Sequence, residues 1–186
     1  MSAFDLDFSL YSLLLGLALV QVLSGLVQTV QSPDRVKMGW LTPLLGLFVI
    51  LDLTSFWTIA WSVRDAAPPG FLALLYGLAV MGLYYFAASL VFPTRPEDYA
   101  NLDQHFFRYR RIVIGAVIGC NLLAWTGQAL IGVNPVPRVQ DAAAITVWLV
   151  SLLALMLLRK PKPLLVLLIF VIAIYPVSGA LSLAGL

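Results

Sequence analysis

Charge is scarce in this 186-residue chain: only 11% of its residues are charged, against roughly 25% in soluble globular proteins. Those few fall almost wholly between long apolar runs; 61% of the residues are hydrophobic and the mean hydropathy is +0.96. This pattern excludes an ordinary soluble globule. It implies one polytopic membrane domain, residues 1–186, without room for a separate soluble domain. The formal net charge of +2 is too small to point to a nucleic-acid partner. Cys120 is the sole cysteine, so no intrachain disulfide can form and cysteine usage does not report the redox compartment.

Other absences narrow the chemistry. The sole histidine, His105, lies between apolar runs, which leaves no bis-histidine haem site in a bundle. No lysine falls inside a run, so a retinal Schiff base is excluded. A single carboxylate within the runs cannot form an aspartyl dyad. Ser-His and Cys-His pairs, phosphate loops, CxxC and HExxH are all missing. The expectation is a non-enzymatic protein with no catalytic residues, no cofactor and no metal. Met1 to Phe8 contains Asp5 and Asp7 but no basic residue, so we expect no cleavable secretory signal there.

What is present is six apolar runs, each long enough or nearly long enough to cross a bilayer as a helix. The expected spans are 9–31, 40–63, 71–92, 112–133, 142–158 and 164–185. Ser32-Pro33-Asp34 breaks the first from the second, and Ala67-Pro68-Pro69-Gly70 the second from the third. Pro93 closes the third, Asn134 to Pro137 closes the fourth, and Lys160-Pro161-Lys162-Pro163 separates the last two. The fold class is therefore all-α, with six transmembrane helices.

The basic residues orient the bundle. Arg35, Lys37, Arg95, Arg108, Arg110, Arg111, Arg159, Lys160 and Lys162 lie in the first, third and fifth connections, whereas the second and fourth hold only Arg64 and Arg138. By the positive-inside rule the odd-numbered connections are cytoplasmic and both termini external. An integral protein of a bacterial inner (plasma) membrane is expected, in contact with the bilayer and either a homo-oligomer or an associate of other membrane subunits. Six spans in this orientation permit a 3+3 inverted repeat. Gln21 and Gln28 in the first span and Asn121 and Gln128 in the fourth share a seven-residue spacing that would suit one. Length, six spans and external termini are similar in architecture to the urea/amide channel class, a likeness that carries over no residues.

The third connection is the only long one. Thr94-Arg95-Pro96-Glu97 has the pattern of a capping box with an early proline, and Tyr99, Leu102, Phe106 and Tyr109 recur at helical spacing. Acidic Glu97 and Asp98 precede Arg108, Arg110 and Arg111, the order the helix dipole prefers. An amphipathic cytoplasmic helix over about 95–110 is expected.

Asp52 is the candidate functional residue. It stands alone among the charges in the run from Trp40 to Val63, near the bilayer midplane, where an ionised carboxylate costs at least ~2.5 kcal/mol. Asp52, Ser55, Thr58 and Ser62 fall within an arc of about 120° on one helix, which suggests a polar stripe from the midplane outward. The alternative is that the hydroxyls bond their own backbone carbonyls. Gln21, Ser24 and Gln28 share a face of the first span, as do Asn121 and Gln128 on the fourth, either as a pathway or as interhelical glue. Gln21 and Asn121 match Asp52 best in depth. Tyr84, Tyr85 and Tyr175 bring phenols toward the interior, and Gly115 and Gly119 make a close-packing pair. Two functional readings follow. One is a channel or transporter moving a proton, cation or small polar solute past Asp52, Ser55, Thr58, Ser62, Gln21, Gln28, Asn121 and Gln128. The other is a non-enzymatic accessory or scaffold subunit of a larger membrane complex. The first requires a polar path at Asp52; the second requires Asp52 bonded to fixed neighbours.

Overall fold

A computed structural model describes residues 3–31, 37, 39–66, 68, 70–136 and 138–183. Those residues form six α-helices and no strands: α1 (Ala3–Val30), α2 (Leu41–Ser62), α3 (Phe71–Ser89), α4 (Leu102–Leu130), α5 (Val139–Leu157) and α6 (Pro161–Leu183). Five contain stretches long and apolar enough to cross a membrane, and the apolar stretch of α5, Asp141–Leu157, is shorter. Helices suit this environment because each satisfies its backbone N–H and C=O groups internally, where a bilayer offers no water to do so. Their apolar residues continue around the whole circumference, including exposed Leu13, Leu72, Val150 and Val166. A helix apolar on all sides packs on neighbours with one face and meets lipid with the other.

Local chemistry explains the breaks. Gly70, at φ 144°, precedes α3 in a conformation closed to residues with a Cβ, and Gly132, at φ 78°, supplies the left-handed residue that ends α4. Pro161 stands at the first position of α6, where its missing N–H costs nothing. The Ser32-Pro33-Asp34 break lies outside the described residues, as do Ala67, Pro69 and Pro137.

α2 is the axis of the bundle. It packs against α1, α4 and α6 and more lightly against α3, while α5 rests at the periphery on α4 and α6. Leu45, Phe48, Val49 and Leu53 of α2 are wholly or almost wholly buried. α1 runs along α3, and glycine permits the close approach: the Tyr11 ring of α1 lies over Gly77 of α3, where an added Cβ would overlap it, while Phe92, just beyond α3, lies over Gly25 of α1, where an added Cβ would come within 2.5 Å of the Phe92 Cβ. The two three-helix halves pack differently. α1 lies along α3 in the first half, whereas the principal pairs of the second are α4–α5 and α5–α6.

The third connection departs from expectation. No separate helix spans 95–110. Pro96–Asp98 makes a single 3-10 turn without a side-chain cap, Tyr99 is extended, and α4 starts at Leu102 and runs unbroken to Leu130. Two interactions outweigh the Thr94–Glu97 signal. The Asn101 side chain accepts the Asp103 N–H at 2.9 Å, capping α4 there. The Lys37 N–H donates to the Ala100 carbonyl (3.3 Å) and the Leu102 N–H to the Lys37 carbonyl (3.2 Å), which holds this backbone extended. The apolar stripe still turns inward: Leu102 and Phe106 are buried, Tyr99 and Tyr109 half-buried, and Glu97 and Asp98 exposed. The Thr42 hydroxyl donates to the Leu102 carbonyl at 2.8 Å, so the first and third connections lie together at one end of the bundle.

Candidate functional site

Asp52 lies at the centre of the bundle, 1% exposed. Its position on α2 places Phe48 and Phe56 one turn away on either side, and its carboxylate points where α3, α4 and α6 converge. Each of those helices supplies one donor. The Tyr84 hydroxyl of α3 donates to Oδ2 at 2.8 Å. The Tyr175 hydroxyl of α6 donates to Oδ1 at 2.8 Å. The Asn121 Nδ2 of α4 lies 3.2 Å from Oδ1 and 3.1 Å from Oδ2, and also 3.1 Å from the Val117 carbonyl. Carboxylate and carbonyl oxygens can only accept here, so the nitrogen of the Asn121 amide must face them; the neighbours determine the amide orientation.

A second layer holds the phenols. The Trp148 Nε1 of α5 donates to the Tyr175 hydroxyl at 3.0 Å, which extends the network to a fifth helix. Tyr84 meets Phe56 edge-on at 5.4 Å between centroids, Tyr175 meets Phe48 at 6.3 Å, and Trp125 meets Trp148 at 6.1 Å. Tyr84 is wholly buried and Asn121 is 6% exposed. Unmet polar groups at such positions cost several kcal/mol in an apolar medium; here donors and acceptor meet each other. One carboxylate thus ties together α2, α3, α4 and α6.

The remaining candidates are elsewhere. The Ser55 hydroxyl donates to the backbone carbonyl of Asp52 and that of Ser62 to Ile59, both at 2.7 Å, which is the self-bonding alternative. Thr58 and Ser62 are exposed. Gln21 and Gln28 are exposed on the outer face of α1, and Gln128 is half-buried toward the opposite end of α4 from its arginines. Of the eight sequence candidates, the structure brings together Asp52 and Asn121. The polar stripe on α2 leads along the helix surface and not through the bundle.

Tyr84 and Tyr175 complete the site. Both are recognisable as interior phenols, and a buried phenol needs a partner; a lone carboxylate at matching depth was the signal linking them to Asp52. Tyr85, next to Tyr84 in sequence, is 41% exposed. Nothing in the sequence points to Trp148.

A cavity of about 430 Å³ opens between α1, α2, α3 and α4 at the end carrying the second connection. Its walls are mainly apolar, with Tyr11, Phe56, Tyr76, Met81 and Ile131 among them and Gln128 as a polar member. Asp52, Tyr84, Asn121 and Tyr175 do not line it. Among the described residues no three His, Cys, Asp or Glu side chains gather as a metal site. No protein-family model, curated protein or solved structure matches the chain.

Proposed function

We propose that this chain is a non-enzymatic accessory or scaffold subunit of a larger membrane assembly, with Asp52 as the polar clasp that fixes its helices. The observation that carries this reading is the closure of Asp52: both oxygens are taken by donors from α3, α4 and α6, and the residue is 1% exposed. A conduit group must exchange partners with a passing ion or solute. A clasp keeps its partners, and four helices locked in one register present a constant outer surface.

That outer surface supplies the second support. Gln21 lies on the exposed face of α1, beside a shallow groove lined by Val20, Leu23, Ser24 and Val27. A carboxamide facing outward at bilayer depth is poorly served by lipid tails and well served by the polar side chains or backbone of another helix. We infer that the odd-numbered connections are cytoplasmic, in keeping with the basic residues they carry.

Cysteine cross-linking tests the reading. In a Cys120→Ser background, Gln21→Cys should form cross-links to another membrane polypeptide or to a second copy, while Phe170→Cys on the exposed face of α6 should form few. Equal yields from the two positions would remove the case for an α1 interface. One observation favours the transport reading instead: the 430 Å³ cavity reaches Val80 and Met81, about one helical turn from Tyr84. Transport of a proton, cation or small polar solute would then require Tyr84 to swing from Asp52 toward that cavity.

A further inference from the structure

At the end of the bundle that carries the first, third and fifth connections, Arg110 and Arg111 of α4 meet the end of α5, next to Arg159 and Lys160 of the α5–α6 connection and Lys162 in the first turn of α6. Two bonds join these segments. An Arg110 guanidinium N–H donates to the Leu158 carbonyl, and the Arg111 Nε donates to the Met156 carbonyl at 3.0 Å. The carbonyl end of α5 favours positive charge beside it, yet its partial charge offsets only a small part of five cations. Among the described residues the sole ion pair is Arg64–Asp65, at the other end of the bundle. None of these five is paired with a carboxylate of the described residues.

Arg110 is the informative member. It is 3% exposed, with its guanidinium carbon 5.7 Å from the centroid of Phe106 and 4.8 Å from that of Phe107. Its Nε and Nη1 are buried and have no hydrogen-bond partner. A buried guanidinium with unmet N–H groups and no counter-ion is a costly arrangement. An anion with several acceptor oxygens would relieve it, and phosphate matches the planar fork of arginine best. Beside these cations the surface turns apolar, with Phe107 and Leu157 exposed.

We propose that this cluster binds the headgroup phosphate of an anionic phospholipid, with Arg110 at its base, the α5–α6 cations around it and the acyl chains along Phe107 and Leu157. Headgroup and chain are both needed to match the surface: the cations lie at the ends of membrane-crossing helices, and basic pockets at that depth suit anionic headgroups. A soluble phosphate would leave the apolar flank unused.

The test uses the full chain in neutral detergent micelles, titrated with fluorescent phosphatidylglycerol or phosphatidylcholine. Phosphatidylglycerol should bind in clear preference and lose affinity as salt rises. The triple variant Arg159→Gln/Lys160→Gln/Lys162→Gln changes three exposed side chains and should bind roughly a hundredfold more weakly at low ionic strength, from the usual contribution per basic residue near an anionic surface. Arg138→Gln, at the opposite end, should bind as wild type. Arg110→Lys keeps the charge and loses the fork, and should weaken binding further if the variant folds; the triple variant decides the matter if it does not. Equal binding of the two lipids, or an unchanged triple variant, would overturn the proposal. So would full displacement by millimolar inorganic phosphate, which would make the site one for a free anion.

Discussion

Replacing Asp52 by leucine should destabilise the bundle more than replacing it by asparagine, and the difference can be worked from its three donors. Leucine leaves the Tyr84 and Tyr175 hydroxyls and the Asn121 amide facing an apolar side chain. Hydrogen bonds between transmembrane helices average about 0.6 kcal/mol and reach about 1.7, so three of them amount to about 2–5 kcal/mol. Asparagine keeps the shape and one acceptor oxygen. One phenol can rotate to accept from the new amide, which limits the loss to about 1–2 kcal/mol. A further arm sharpens the case: Asp52→Leu combined with Tyr84→Phe, Tyr175→Phe and Asn121→Leu removes donors and acceptor together, and should recover part of the stability lost in Asp52→Leu alone. Unfolding in mixed micelles of increasing sodium dodecyl sulfate, followed by tryptophan emission, measures all of these. Asp52→Leu as stable as the wild type would refute the clasp.

Three other outcomes are expected. Gly25→Ala places a Cβ 2.5 Å from the Phe92 Cβ and should cost about 1–3 kcal/mol as α1 and the segment after α3 are pushed apart, measured in the same unfolding assay. Tyr175→Phe removes the acceptor of the Trp148 indole N–H and the bond to Asp52 together; the emission of Trp148 should shift, and wild-type emission would show that the 3.0 Å contact is absent. In a Cys120→Ser background, Arg108→Cys should react with impermeant thiol reagents only from the cytoplasmic side and Asp65→Cys only from the other, and the reverse pattern would invert the proposed orientation.

The helices are legible in the sequence because hydropathy and the Pro, Gly and Asn breaks are local signals, and they place five of the six spans close to the observed helices. Asp52 and Asn121 are legible as partners because depth along two spans can be counted. What counting cannot supply is rotation about each helix axis. Gln21 has the same depth as Asn121, yet the packing of α1 along α3 turns it outward. Ser55 and Ser62 share a face with Asp52, but their hydroxyls find nearer acceptors in the preceding turn of their own helix. Two adjacent tyrosines on α3 point to opposite environments, and only the neighbours of α3 decide that Tyr84 faces Asp52. The segment after Thr94 has a local helix-start signal that yields to the contact between Lys37 and Ala100, two residues far apart in sequence.

Flux through the reconstituted protein tests the central claim most directly. Proteoliposomes holding the wild type or Asp52→Asn, each first shown to be folded, would be followed for proton, monovalent-cation and small polar solute permeation. Neither protein should raise permeation above that of protein-free liposomes, because Asp52 is a closed clasp and not part of a path. Wild-type flux that disappears in a folded Asp52→Asn variant would contradict it and establish Asp52 as a transport residue.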